Sequence, residues 1–120
     1  MKIFIVDDDA DMVAIMSVLL EGNGHDVRSS VAAASAIPEI TSFHPDLLLT
    51  DLVMAELDGL EFCRELREGR GLTNLRIVFV SAKIDDYWHE RAHEAGAVGY
   101  LEKPIDPTTF VDQVEQLARA

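Results

Sequence analysis

Cysteine is almost missing from this chain. Cys63 is the only one among 120 residues, so neither an intrachain disulfide nor a cysteine-rich metal site can be built, and its setting in "GLEFCREL" suits a small core hydrophobe. Basic residues are scarce too. Ten Lys and Arg stand against 22 Asp and Glu, a net charge of -12, which repels phosphate backbones and anionic lipid and argues against direct nucleic-acid binding. Long apolar runs are also lacking. In "MKIFIVDDD" the aspartates break the apolar stretch before a signal-peptide core or a membrane span could form, so a cytoplasmic protein with no membrane insertion is expected. Polar low-complexity tracts are absent as well. What is present, 48% hydrophobic and 27% charged residues, is the composition of an ordinary folded chain of one-domain length.

Five short apolar runs read as strands: "KIFIV" 2–6, "DVRS" 26–29, "LLLT" 47–50, "RIVFV" 76–80 and "VGYL" 98–101. The first, third and fourth are apolar at consecutive positions, as in strands buried on both faces of a parallel sheet. Helical stretches lie between them. Met12, Ile15, Met16 and Leu19 repeat at i, i+3, i+4 and i+7 before the stop signal "GNG"; Phe110, Val114 and Leu117 mark a last helix, 107–119. Asp58 can cap a helix carrying Leu60, Cys63 and Leu66, and Asp85 or Asp86 one over 85–95 carrying Trp88, Ala92 and Ala95. Pro38 in "SAIPEITSF" is tolerated only in a first turn, so the second helix is expected to start near Ser35 or to be kinked. The order is βα five times. That predicts an α/β, doubly wound parallel sheet whose functional residues gather beyond the carboxyl ends of the strands, at a topological switch point.

Asp7, Asp8 and Asp9 follow the first strand and Asp51 follows the third. If those strands are neighbours, three carboxylates share one crevice, and like charges that close raise pKa values or demand a counter-ion; a hard divalent cation such as Mg²⁺ suits oxygen ligands. Asp9 and Asp11 are better read as helix caps. Ser81 ends the fourth strand and Lys103 follows the fifth. Singly, Ser81 could be a helix cap, Lys103 a surface lysine and Tyr100 a core aromatic. Together with the carboxylates they supply a nucleophile for a phosphoryl group, charges to neutralise its oxygens and a hydroxyl to hydrogen-bond the product. The expected product is an aspartyl phosphate.

The segments "IVDDD", "LLLTDLVMAELDG", "VFVSAK" and "GYLEKP", in that order, resemble the signature of the response-regulator receiver domain. The resemblance spans the whole chain, so 1–120 is expected to be a single receiver domain with no effector segment. It implies the flavodoxin-like (βα)5 sheet order 2-1-3-4-5 known from a member of that family. It also implies Asp51 as phosphoacceptor, with Mg²⁺ held by Asp8, Asp51 and the Val53 backbone carbonyl and by Asp7 through a water. Lys103 would pair with the phosphoryl group. Ser81 would move to the phosphate and Tyr100 turn inward behind it, as the two switch residues, while the Lys103–Pro104 bond would be cis. The phosphodonor would be a histidine kinase or a histidine phosphotransfer protein, and catalysis would be limited to the chain's own phosphorylation and dephosphorylation.

Two departures from the family pattern stand out. Ala55 occupies a position where that family often has proline, which makes the loop less stiff but removes no chemical group. Val53 and Lys83 flank the path of the hydrolytic water in that family, and neither suits water positioning, so slow self-dephosphorylation is expected. Output would leave through helix 85–95, strand 98–101 and helix 107–119, with Tyr87 and Trp88 as candidate contacts for an effector or for a homodimer formed on phosphorylation. Rival readings are weaker. "HERAH" matches the H-E-x-x-H zinc-hydrolase pattern through His89, Glu90 and His93, but no third ligand stands at a familiar spacing and solvent-facing histidines are the simpler reading. A phosphate-independent interaction module would be expected to lack the acceptor, an acidic residue or the lysine. A haloacid-type phosphatase needs a second aspartate where Val53 stands.

Overall fold

The computed structural model describes residues 1–55, 57–82 and 85–119. Five strands alternate with five helices: β1 (Lys2–Val6), α1 (Ala10–Glu21), β2 (Asp26–Ser30), α2 (Ala33–Phe43), β3 (Leu47–Thr50), α3 (Gly59–Arg64), a π-helical turn (Glu65–Gly69), β4 (Arg76–Ser81), α4 (Asp86–Glu94), β5 (Gly99–Glu102) and α5 (Phe110–Ala118). All strand pairings are parallel. The sheet order is β2-β1-β3-β4-β5.

The runs of apolar residues in β1, β3 and β4 have the predicted cause. Successive side chains point to opposite faces, and both faces are covered. Phe4, Val6, Leu48, Ile77 and Phe79 point to one side, where α2, α3 and α4 bury Ala36, Ile40, Phe62, Cys63 and Ala92. Ile3, Ile5, Leu47, Leu49, Val78 and Val80 point to the other, against Val13, Met16 and Leu20 of α1 and Phe110 and Val114 of α5. β2 is the polar edge strand, and none of its residues is fully buried.

The helices differ from expectation in detail. In α1 the buried stripe is Val13, Met16 and Leu20, and Ile15 is exposed; Met12 and Leu19 lie at the stripe's margin, partly buried. Asp9 caps that helix, accepting from the backbone N–H groups of Asp11 and Met12 at 3.0 and 3.3 Å. The second helix starts at Ala33, two residues before Ser35, and runs through Pro38 as an interior residue. The stripe Ala33, Ala36, Ile40 and Phe43 is buried against the sheet while Pro38 lies on the exposed side, so apolar burial outweighs the one backbone bond that proline cannot donate. Asp58 and Asp85 cap α3 and α4 through the backbone N–H groups of Glu61 and Trp88. The last helix begins at Phe110, with residues 107–109 in a turn.

Candidate functional site

Strand register builds the site. Val6 pairs with Thr50 and Ser81 with Glu102, so Asp7 and Asp51 leave adjacent strands together, and Lys103 leaves β5 beside Ser81. Backbone bonds continue the pairing past the strand ends, from Asp51 N to the Val6 carbonyl and from Lys103 N to the Ser81 carbonyl. At the centre, Lys103 Nζ donates to Asp7 Oδ2 at 2.7 Å and to Asp51 Oδ2 at 2.8 Å. The Lys103–Pro104 peptide bond is cis.

Burial makes this cluster electrostatically tense. Asp7 is 1% exposed, and burial pushes its carboxyl above the ordinary range even though Lys103 and the Asp9 backbone N–H pull the other way. For Lys103, burial alone would lower the ammonium pKa, but the hydrogen bonds to Asp51 and Asp7 overcome it and hold the group above its ordinary value. Asp51 retains 9% exposure at the crevice mouth, against 2% for the buried Ser81. An acceptor must be reachable from outside, and Asp51 is the more open member of the bridged pair.

Asp8 stands apart from that bridge. Its Oδ2 accepts from the backbone N–H of Ala55 at 3.0 Å, a donor that a proline at this position would lack. Val53 lies beside the acceptor, its N–H donating to Asp51 Oδ1 at 3.3 Å. Among the described residues no three His, Cys, Asp or Glu side chains already converge as a metal cage. Lys103 takes one oxygen each of Asp7 and Asp51, and Ala55 takes one of Asp8. The donor set is nonetheless the all-oxygen kind that a hard divalent cation prefers, with three carboxylates against one ammonium.

Tyr100 projects inward from β5, with Oη buried and without a hydrogen bond of good geometry among the described residues. Burial pushes its phenol up, while the neighbouring Ser81 hydroxyl pulls it down. Its ring stacks on His89, centroids 4.4 Å apart and planes 20° from parallel. His89 and His93 are otherwise exposed on α4, as the simpler reading of "HERAH" expected. Trp88 is half-buried and Tyr87 exposed, their rings edge-on at 5.3 Å. Lys83 lies outside the described residues.

Three contributors were not singled out by sequence reasoning. Thr50 is buried and donates its hydroxyl to the Asp51 carbonyl at 3.1 Å; its signal was a lone polar residue closing "LLLT". Gly59 lets the chain pass so close to β3 that a Cβ would overlap the Asp51 carbonyl and approach Leu52 Cα to 2.8 Å, so it fixes the loop that carries the acceptor. The signal for the Ala55 N–H was alanine standing where proline is common, but its acceptor, Asp8, shows only in three dimensions.

Comparison with known proteins gives a consistent picture. The family model described as "Response regulator receiver domain" matches residues 3–115. The DNA-binding response regulator MtrA of Mycobacterium tuberculosis is 32% identical over 118 residues, which cover 98% of this chain and 50% of that protein. The chain thus spans about half the length of the curated relatives it matches. Among solved structures, the BeF3-activated N-terminal receiver domain of Klebsiella pneumoniae RstA superposes with TM-score 0.88 at 28% identity, covering 100% of both chains. The Vibrio cholerae chemotaxis protein CheY4 reaches TM-score 0.90 at 22% identity over 97% of each, a likeness of fold.

Proposed function

Since the chain belongs to the response regulator receiver domain family, a phosphorylation-activated switch of two-component signalling, we propose that Asp51 is the residue phosphorylated. The observation that carries this is the pairing of Asp51 with Lys103 in a crevice where Asp51 alone of the bridged carboxylates keeps access to solvent. An Asp51 oxygen would attack the phosphorus of a phosphohistidine on a histidine kinase or phosphotransfer protein. The P–O bond forms as the P–N bond breaks, and the imidazole leaves with the electron pair and takes a proton. Lys103 Nζ, already against Asp51 Oδ2, would exchange that oxygen for one of the phosphoryl group, and the Ser81 hydroxyl would hydrogen-bond another. Asp8, Asp51 and the Val53 carbonyl would hold Mg²⁺, with Asp7 acting through a water. When bound, that ion supplies the positive charge that lets a carboxylate approach a phosphoryl group.

Movement of Ser81 to the phosphoryl group would hold the Tyr100 ring in the inward position it already occupies, and α4, β5 and α5 would present the resulting surface to an effector or to a second copy of the chain. The site would act on no external substrate, and we place it in the cytoplasm, where such kinases present their phosphohistidine. Val53 brings an exposed apolar side chain to the acceptor, which supports slow hydrolysis of the product.

Intact mass after incubation with Mg²⁺ and acetyl phosphate tests the reading. A single phosphoryl adduct is expected on the wild type and none on Asp51→Ala, with decay over hours rather than seconds. No adduct on either protein, with fold and Mg²⁺ binding intact, would favour a phosphate-independent interaction module.

A further inference from the structure

Tyr100 sits where its own chemistry gives it reason to leave. Its Oη is out of reach of water and lacks a hydrogen bond of good geometry among the described residues, and a buried hydroxyl in that state forfeits the solvation it would have outside. Turning the ring outward would return water to that oxygen. Some contact must offset this loss and hold the ring in.

Packing on the sheet does little of it. β5 is the outer strand, so Tyr100 has Phe79 of β4 as its neighbour on one side and no strand on the other, and it meets the core of this face only at the margin. Next to the ring, α4 and β5 leave a cavity of about 330 Å³ whose walls include Ala92, His93, Ala97 and Gly99. These alanines and the glycine are too small to wedge the phenol in place. The remaining contact is aromatic: His89, exposed at the fourth position of α4, lays its ring on that of Tyr100 with centroids 4.4 Å apart and planes 20° from parallel. Stacked rings attract beyond the area they bury. An exposed imidazole has open water as its alternative, so its order on Tyr100 marks a net preference.

We infer that His89 is a positioning residue for Tyr100, its ring holding the phenol inward before any phosphoryl group is present. The inference deepens the function proposed above and rests on it only for the use to which Tyr100 is put. A chain so arranged favours one ring position at rest. A change at Ser81 then strengthens that preference rather than creating it.

The test reads the Tyr100 side chain directly, in the chain without Mg²⁺ or phosphodonor. Tyr87 is the one other tyrosine, so ¹³C,¹⁵N-tyrosine labelling gives two ring systems. Three-bond couplings about χ1, with ring relaxation dispersion for a sparse minor form, yield the ratio of inward to outward ring. In His89→Ala that ratio should fall about two- to tenfold, the range that a stacking contact spans. His89→Phe should restore it, since a flat ring is kept while the imidazole is lost. His93→Ala, which alters the same cavity one turn away, should leave it at the wild-type value. Both histidines are exposed, so none of these changes opens the core, and each variant is first matched to wild type by circular dichroism and thermal midpoint. An unchanged ratio in His89→Ala overturns the inference, as does an equal fall in His89→Phe or in His93→Ala, which would assign the effect to imidazole polarity or to the cavity. Failure of Asp51 to take a phosphoryl group would overturn the reading of the aspartate site and leave these ratios measurable, so the two failures are told apart.

Discussion

The two faces of the sheet are packed by different means. Against α1 and α5 the core is aliphatic apart from Phe110, and both helices run without an interior proline or a π-helical turn. Against α2, α3 and α4 it contains Phe4, Phe43, Phe62 and Phe79, with Trp88 and Tyr100 half-buried at its margin. That second face has a helix with an interior proline, a π-helical turn and a fourth helix with Ala92 as its fully buried residue. One sheet therefore has a more regular side and a less regular side, and Tyr100, the residue proposed to switch, belongs to the less regular one. Irregular packing leaves alternative arrangements within reach, which a device with two states requires.

The largest expected effect comes from emptying each core. Phe62→Ala should cost about 3–5 kcal/mol and Leu20→Ala about 2–5 kcal/mol, read by urea denaturation with hydrogen exchange. Amides of α2 to α4 should loosen in the first variant and those of α1 in the second. A Phe62→Ala loss below about 1 kcal/mol would show that the irregular face contributes little to stability.

Pro38→Ala repairs the irregular side. Position 38 is exposed and mid-helix, so the substitution restores a backbone donor without opening a cavity, and stability should rise by up to about 3 kcal/mol. A thermal midpoint unchanged or lowered would mean that α2 is built around its proline. The caps allow a finer exchange. Asp9→Ala should lower stability by about 1 kcal/mol, and Ala32→Asp, which places a carboxylate at a helix start with no side-chain cap, should raise it by a similar amount. Opposite signs in chemical denaturation are the check.

The smallest effect is a rate. Burial pushes the Cys63 thiol up to about 12 from its ordinary 9.0, so the neutral form is favoured in the fold. Its contribution to stability is present below the ordinary value and lost as pH rises through about 12. Maleimide labelling at about pH 8 should therefore be slow and should quicken in Phe62→Ala, whose side chain shares the same cluster. Labelling equally fast in wild type and variant would mean that Cys63 is reached without opening that face.

Much of this was legible from residue order. Consecutive apolar residues in "KIFIV", "LLLT" and "RIVFV" can be satisfied only by burial on both faces, and a strand has few ways to achieve that. Asp9, Asp58 and Asp85 each stand where a helix must begin, because a side-chain acceptor there meets a backbone need that is local. Ile15 and the start of α2 were not legible in the same way. Which arc of a helix is buried, and whether a proline is tolerated, depend on the apolar surface waiting across the gap.

The sequence by itself determined the βα alternation, the caps and the placement of Asp7, Asp8, Asp51, Ser81 and Lys103 at strand ends, since each follows from chemistry within a few neighbouring residues. Only the tertiary structure decided that Lys103, 52 positions from Asp51 and 96 from Asp7, bridges both, that Ala55 lends its N–H to Asp8 and that His89 lies flat on Tyr100. Those contacts are fixed by strand register and by the close passage at Gly59, quantities that exist only once the sheet has formed.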